Sequence, residues 1–552
     1  MCSEFLRHVE NVPHNNLWPF LTIGGLWYNA ANDPPREDAM ATLVTPITGR
    51  HFIAGKWLES TGKTFNSTNP ARLDEVVGVF PHGAKATADR AVEAARAAQP
   101  AWRRTSRIHR AELFDHLAQI VKRETDSLAR LMARECGKVV TECRAEIVEG
   151  LHMIQYVFGA GRMPIGEVLA SEIAEKDTFM RRKPWGVAAV ITPWNFPFAV
   201  PLWMLGPSLL EGNTAIYKPS EDTPAIGQRL VELFVEAGFP PGVINLVHGD
   251  AEAGEALVRN PCVNVVLFTG SYDVGRRIQE LSAPLPDRIV ANEMGSKSAV
   301  IVCEDAKLDL AVTSALISAF KTSGQRCVSA GRVLVHEKLF DRFAEKLVGL
   351  AKRLRIGDPL DASNFTGPVI NETAVQKTLR YNALAKEEGA QVLLDGGRMT
   401  DPPIPPLARG GQGGYAKGCF LSPFIYRIEA KPGVRCIREE VFGPHLAVIP
   451  FKNNDAAVAI YNDTDYGLSL AVITESYRAM RFFREECHYG MGYVNLPCIG
   501  AEVHLPFGGV KKSGNGHPSA AGLIEAVTHK TAWTVNHAEE VKMAQGLTTD
   551  VI

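Results

Sequence analysis

The sequence predicts an α/β protein with two doubly wound parallel-sheet domains, and three observations carry that expectation. From Gly186 onward, short apolar runs alternate with amphipathic stretches of helical period. A second series with the same rhythm runs from Ala299 to about Phe451. At 552 residues the chain exceeds what one core can hold, and a chain this long divides into about three or four domains. Alternating strands and helices cover both faces of a parallel sheet, so such strands read as continuous apolar runs.

In chain order, residues 50–58 read as a short strand and turn, and residues 84–102 are Ala-rich with helical spacing. Residues 106–136 predict a long amphipathic helix, with Leu113, Leu117, Ile120, Val121, Leu128 and Leu131 on one face and Gly137 closing it. Residues 164–183 are of mixed polarity and predict a protruding hairpin. Strands then fall at 187–191, 214–217, 243–247 and 265–268, with helices at 199–210 and 225–237. The second series places strands at 299–302 and 333–335 around a helix at 308–320. Residues 401–414 are dense in Pro and Gly and predict a surface loop.

Charge and cysteine usage narrow the function classes. Lys+Arg 59 against Asp+Glu 61 leaves a net charge of -2, so no overall basic field draws nucleic acid or an anionic membrane. The ten cysteines are scattered, without a C-x-x-C pair or a Cys/His cluster at zinc spacing, which points to a reducing, cytoplasmic setting and to no metal. The most apolar stretch, residues 198–210, is interrupted by Pro201, Gly206 and Pro207, and is too short to span a bilayer. Residues 1–50 are expected to form a poorly ordered extension, with Met40 an alternative beginning and residues 17–31 a weak leader-like core.

The chemistry concentrates in a handful of strings. Cys327 lies in Ser323-Gly324-Gln325-Arg326-Cys327-Val328-Ser329, and Glu293 in Asn292-Glu293-Met294-Gly295. A thiol that adds to a carbonyl and a carboxylate that activates the releasing water are the minimum for two-step acyl chemistry. A free thiol is only a few per cent ionised near neutral pH, so nearby donors or a helix dipole are expected to raise that fraction. Asn195, in Thr192-Pro193-Trp194-Asn195-Phe196-Pro197, follows a strand and can donate to a developing oxyanion, or satisfy a Pro-bounded turn. Lys218-Pro219-Ser220-Glu221 also ends a strand, where a Glu suits a ribose diol as well as a helix's first turn. Phe268-Thr269-Gly270-Ser271 places a Gly-Ser turn before a helix, a position that attracts phosphate. Glu439-Glu440-Val441-Phe442-Gly443-Pro444 offers a further carboxylate beside an aromatic ring.

Taken together with Pro506-Phe507-Gly508-Gly509, these strings in this order resemble the NAD(P)-dependent aldehyde dehydrogenase superfamily, from about His51 to Asn536. The resemblance implies that Cys327 attacks the aldehyde, that Asn195 and the Cys327 amide hold the oxyanion, and that Glu293 activates the hydrolytic water. It implies a cofactor site built from Thr192, Trp194, Lys218, Glu221, Gly270, Ser271, Glu440 and Phe442, with Glu221 favouring NAD over NADP. Family architecture implies an extension at 1–50, an NAD-binding, Rossmann-like domain at 51–163 and 184–295, a catalytic domain at 296–519 and a tail at 541–552. It adds a small β oligomerisation element at 164–183 and 520–540, hence a homodimer or homotetramer. Three positions depart from the common pattern: Met204 where Lys is usual, Ser296 where Gly is usual, and Pro518, after His517, where Glu often stands. The string Pro497-Cys498-Ile499-Gly500-Ala501-Glu502 is similar to the segment that grips the substrate's polar tail in aminoadipate and glutamate semialdehyde dehydrogenases. A semialdehyde is therefore the leading expectation, with a general aliphatic or aromatic aldehyde as the alternative and a non-catalytic NAD-binding protein as the alternative of another class.

Overall fold

The computed structural model describes residues 45–59, 62–399, 417–516 and 519–543. The expected extension up to Val44, the loop at 401–414, His517 and Pro518, and the tail from Ala544 onward lie outside the described residues.

Two seven-stranded sheets organise the rest. The first runs Ile289–Glu293, Val265–Thr269, Val187–Ile191, Thr214–Lys218, Ile244–Leu246, His51–Ile53 and Lys56–Leu58. Its first five strands are parallel and fully or largely buried, and the two at the far edge are antiparallel. The second runs Gln391–Leu394, Phe424–Arg427, His445–Phe451, Ala330–His336, Ser298–Val302, Ser469–Ile473 and Met491–Val494. Only Gln391–Leu394 is antiparallel to its neighbour there. The doubly wound α/β class is as predicted, with an antiparallel margin on each sheet.

The long helix spans Arg107–Cys136, and Gly137 ends it in the left-handed region at φ 77°. That conformation favours glycine, and a Cβ there would meet Pro368 at 2.8 Å. Leu113, Leu117, Ile120, Val121 and Leu128 are buried as the periodicity predicts, while Leu131 is half-buried. A helix at Val140–Ala160 had no counterpart in the sequence reading. Its β-branched start and its two interior glycines hide the usual signal. Gly150 is there for room: a Cβ would come within 2.8 Å of the Phe198 ring. This helix packs against Arg107–Cys136 and Ala199–Glu211, and the three share the largest apolar core.

Residues 164–183 do form a hairpin, Gly166–Leu169 with Lys176–Pro184. The Thr528–Asn536 strand joins it antiparallel along nine residue pairs, giving a separate three-stranded sheet. Among the described residues no helix is long and apolar enough to cross a membrane.

Candidate active site

In a parallel sheet, loops at the carboxyl ends of the strands gather where the winding direction reverses. In the first sheet that reversal lies between Val187–Ile191 and Val265–Thr269, which are neighbours although two other strands separate them in sequence. The register is level: Ile191 pairs with Lys218 and Phe268, and Thr269 with Glu293. The segments carrying Thr192 to Asn195, Pro219 to Glu221, Gly270 and Ser271, and the end of the Glu293 strand therefore share one rim.

A cavity of about 230 Å³ opens beside this rim. Its walls bring together Trp194, Asn195, Gly270, Ser271, Glu293, Cys327, Glu440 and Phe442 from both halves of the molecule. Thr192, Lys218 and Glu221 stand at the adjoining strand ends outside that wall; Thr192 N–H donates to the Lys218 carbonyl at 3.3 Å.

Cys327 reaches the cavity through a tight turn. After the Leu308–Phe320 helix, Thr322 and Ser323 both take φ 53° and Gly324 takes φ 73°. Left-handed non-glycine residues cost of order 1–3 kcal/mol each and persist only where neighbours over-determine them. Here the neighbours do so. Thr322 donates from N–H and hydroxyl to Glu142, at 3.2 and 3.1 Å. Ser323 N–H donates to the Thr366 hydroxyl at 2.8 Å, and its own hydroxyl to the Gly367 carbonyl at 2.6 Å. Gly324 has no space for a side chain, since a Cβ would lie 2.3 Å from the Gly443 carbonyl oxygen.

The expected acidification of the thiol is not found. Burial, then the Glu440 and Glu293 carboxylates, push Cys327 up to about 12. Arg326, the adjacent cation, spends its guanidinium on Glu142 at 2.7 Å and lies over the Phe196 ring. The Cys327 thiol therefore keeps its proton at neutral pH. Glu293 is only 5 % exposed, and burial raises its carboxyl well above the usual range against one opposing Gly509 amide. Its Oε2 is sealed from solvent with no hydrogen-bond partner among the described residues.

Asn195 donates one amide hydrogen to the Gln325 carbonyl at 2.9 Å. Its own carbonyl accepts from Lys138 Nζ at 3.2 Å. Lys138 is in turn ion-paired with buried Glu146, which accepts from the Phe198 and Ala199 amides at 2.9 and 3.1 Å. The strand-end loop is thus pinned from below.

On the opposite wall, Ser271 caps the Tyr272–Ser282 helix, and Gly270 N–H donates to the Glu293 carbonyl at 3.0 Å. Glu440 accepts from the Ser296 amide at 2.7 Å; burial raises its carboxyl, with Lys377 opposing. Trp194 and Phe442 meet edge to face at 5.6 Å. Lys218 is buried, 3.6 Å from the half-exposed carboxylate of Glu221.

Some wall residues escaped the sequence reading: Lys377, Val200, Trp203 and Glu149. Glu149 is half-buried, with Oε1 sealed and without a hydrogen-bond partner among the described residues. Burial first, then Glu146, lift its carboxyl to about 8. The available signal was Glu142, Glu146 and Glu149 at i, i+4 and i+7, a row of acids on one helical face. Gly500 and Ala501 from the 497–502 string line the same cavity. Of the departing positions, Met204 is buried in the core.

Residues 57–532 match the model of the aldehyde dehydrogenase family. The 1-pyrroline-5-carboxylate dehydrogenase of Geobacillus kaustophilus is 37% identical over 515 residues, 91% of this chain and 96% of that protein. The alpha-ketoglutaric semialdehyde dehydrogenase of Bacillus subtilis is 33% identical over 476 residues, 86% of this chain and 95% of that one. The crystal structure of PnpE in complex with nicotinamide adenine dinucleotide matches with a TM-score of 0.83 at 33% identity, covering 90% of this chain and 99% of that chain. The chain belongs to the aldehyde dehydrogenase family.

Proposed function

We propose that the protein oxidises an amino-acid-derived semialdehyde to the carboxylic acid with NAD, Cys327 being the nucleophile and Glu293 the deacylating base. The observation that carries this reading is that Cys327, Asn195 and Glu293 share one cavity with Gly270, Ser271 and Glu440. The residues fit a dinucleotide: a half-buried acceptor carboxylate at Glu440, a capped helix start at Ser271, and Lys218 beside Glu221 at a strand end. When bound, NAD supplies the hydride acceptor. The Glu221 carboxylate would repel a 2′-phosphate, which favours NAD over NADP.

Cys327 Sγ passes its proton to the Glu293 carboxylate, which releases it to solvent before the second step, and bonds to the aldehyde carbon, giving a thiohemiacetal whose oxyanion takes the free Asn195 amide hydrogen and the Cys327 N–H. After oxidation to the thioester, Glu293 accepts a proton from water. The resulting hydroxide attacks the acyl carbon, and the C–S bond breaks to return the thiol. The unpartnered Oε2 of Glu293 leaves an acceptor for that water.

The semialdehyde assignment is supported by Gly500 and Ala501, from the 497–502 string, which line the cavity that holds Cys327. The similar Bacillus subtilis enzyme is a semialdehyde dehydrogenase by name. We further propose a homodimer or homotetramer held by the three-stranded sheet, working in a reducing cytoplasm. Nine cysteines, all free among the described residues, accord with that compartment.

The test is a panel of aldehydes read by NADH absorbance, with amino-acid semialdehydes beside simple aliphatic and aromatic ones. The expected result is the highest kcat/KM for a semialdehyde. Equal turnover of apolar aldehydes would move the substrate reading to the general class. NAD binding without oxidation of any aldehyde would leave a non-catalytic binding protein.

A further inference from the structure

Ser296 stands where the resemblance leads one to expect glycine, between the Glu293 strand and the Ser298–Val302 strand. It is 5 % exposed. Its hydroxyl donates to the carbonyl oxygen of Cys327 and lies 3.0 Å from the Ser298 hydroxyl. A carbonyl only accepts and a hydroxyl has one hydrogen. Ser296 is therefore the donor to Cys327, and Ser298 the donor to Ser296. The Cys327 carbonyl has no other hydrogen-bond partner among the described residues.

Two further bonds hold the same turn. The Ser296 amide donates to Glu440 at 2.7 Å, and the Cys498 thiol donates to the Val328 carbonyl at 3.1 Å. The preceding glycine could not play this part, because a Cβ at Gly295 would stand 2.4 Å from the Glu440 carboxylate.

We propose that Ser296 is a positioning residue for the nucleophile: its hydroxyl fixes the Cys327–Val328 peptide and so sets the direction of the Cys327 side chain and the geometry of its N–H. The inference rests on the dehydrogenase reading for its kinetic effect, though not for its effect on thiol reactivity. A carbonyl held by one donor fixes ψ of Cys327. Without it the turn keeps the Ser329 N–H to Arg326 carbonyl bond at 2.9 Å and the Cys498 bond to Val328, and ψ of Cys327 is held less tightly. Misorientation of a reacting atom lowers the rate of the chemical step while leaving remote binding contacts intact.

The experiment compares Ser296→Ala, Ser296→Gly and Ser296→Thr in the full chain. Iodoacetamide labelling of the Cys327 peptide is followed by mass spectrometry, and the pre-steady-state NADH burst is followed with NAD affinity measured on the same samples. Ala and Gly are expected to slow the burst about tenfold, the loss of one hydrogen bond's worth of orientation. They are also expected to slow labelling, with NAD affinity unchanged, and Thr restores both because it keeps the hydroxyl. Wild-type labelling and burst in Ser296→Ala would overturn the proposal, as would a loss in Ala that Thr fails to recover or a loss shared with NAD binding. If the wild-type chain oxidises no aldehyde, the dehydrogenase reading falls, and the labelling rates still decide whether Ser296 positions the thiol.

Discussion

A base that must take a proton from water works best when its pKa nears the operating pH. Burial moves Glu293 in that direction while moving the Cys327 thiol away from it. In the proposed mechanism both groups must lose a proton, and burial opposes that loss in both. The rate should therefore climb with pH through neutrality and beyond. A kcat/KM profile checks this, and a flat profile from pH 6 upward would contradict it. Glu293→Gln is expected to give one NADH per site and then stall at the thioester, while Cys327→Ala gives none and still binds NAD. Glu149 is a separate case. Its folded pKa, about 8, stands above the ordinary 4.5, so the native state favours the protonated form. That contribution is full below pH 4.5 and is lost as pH rises towards 8. Glu149→Gln should flatten the fall in melting temperature over that window, and an unchanged slope would show the site to be solvated. At this scale Cys327, Glu293 and Asn195 were legible because each sits in a distinctive string. Glu149 was not, because a row of acids on one helical face looks solvated until its neighbours are known.

Elements with one strong signal were read well, and those with mixed signals were not. The buried parallel strands stood out as continuous apolar runs, and the Arg107–Cys136 helix by its stripe and its closing glycine. The edge strand Gln391–Leu394 is short and partly exposed, so nothing in its composition announces a sheet margin. One helix–helix contact bears on the cofactor rim. Glu135 is fully buried and accepts from the Ala225 and Ile226 amides, at 2.7 and 2.9 Å, and from the Ser67 hydroxyl at 2.9 Å. It thereby caps the Pro224–Glu236 helix, the element that follows Lys218 and Glu221. Burial lifts this carboxyl to about 7, against the three donors. Glu135→Ala strands those donors, and a buried unsatisfied group costs about 1–3 kcal/mol. A fall of several degrees in melting temperature together with weaker NAD binding is expected, with Glu135→Gln milder because it keeps an acceptor. Weaker melting without any change in NAD affinity would separate the cap from the rim.

At the scale of the molecule, the three-stranded sheet belongs to neither large core. Its outer strand, Gly166–Leu169, has a partner on one side only among the described residues. Val168 is 87 % exposed, Leu169 52 % and Trp533 52 %. An uncovered apolar edge is an invitation to pair with another chain, and monomeric proteins rarely leave such a patch open. A second copy of this chain would cover it, with the same patch on both subunits in a two-fold arrangement. The motif order suggested assembly only through the family resemblance, since alternation along a nine-residue strand says nothing of what faces the outer side. Sedimentation of the wild-type chain at micromolar concentration should give twice or four times 60.2 kDa. Val168→Lys, which places a charge on that edge without touching the cavity, should shift the species towards 60.2 kDa. A wild-type chain that sediments as a monomer would remove the reason for the exposed strand, and a Val168→Lys oligomer of unchanged size would move the interface elsewhere.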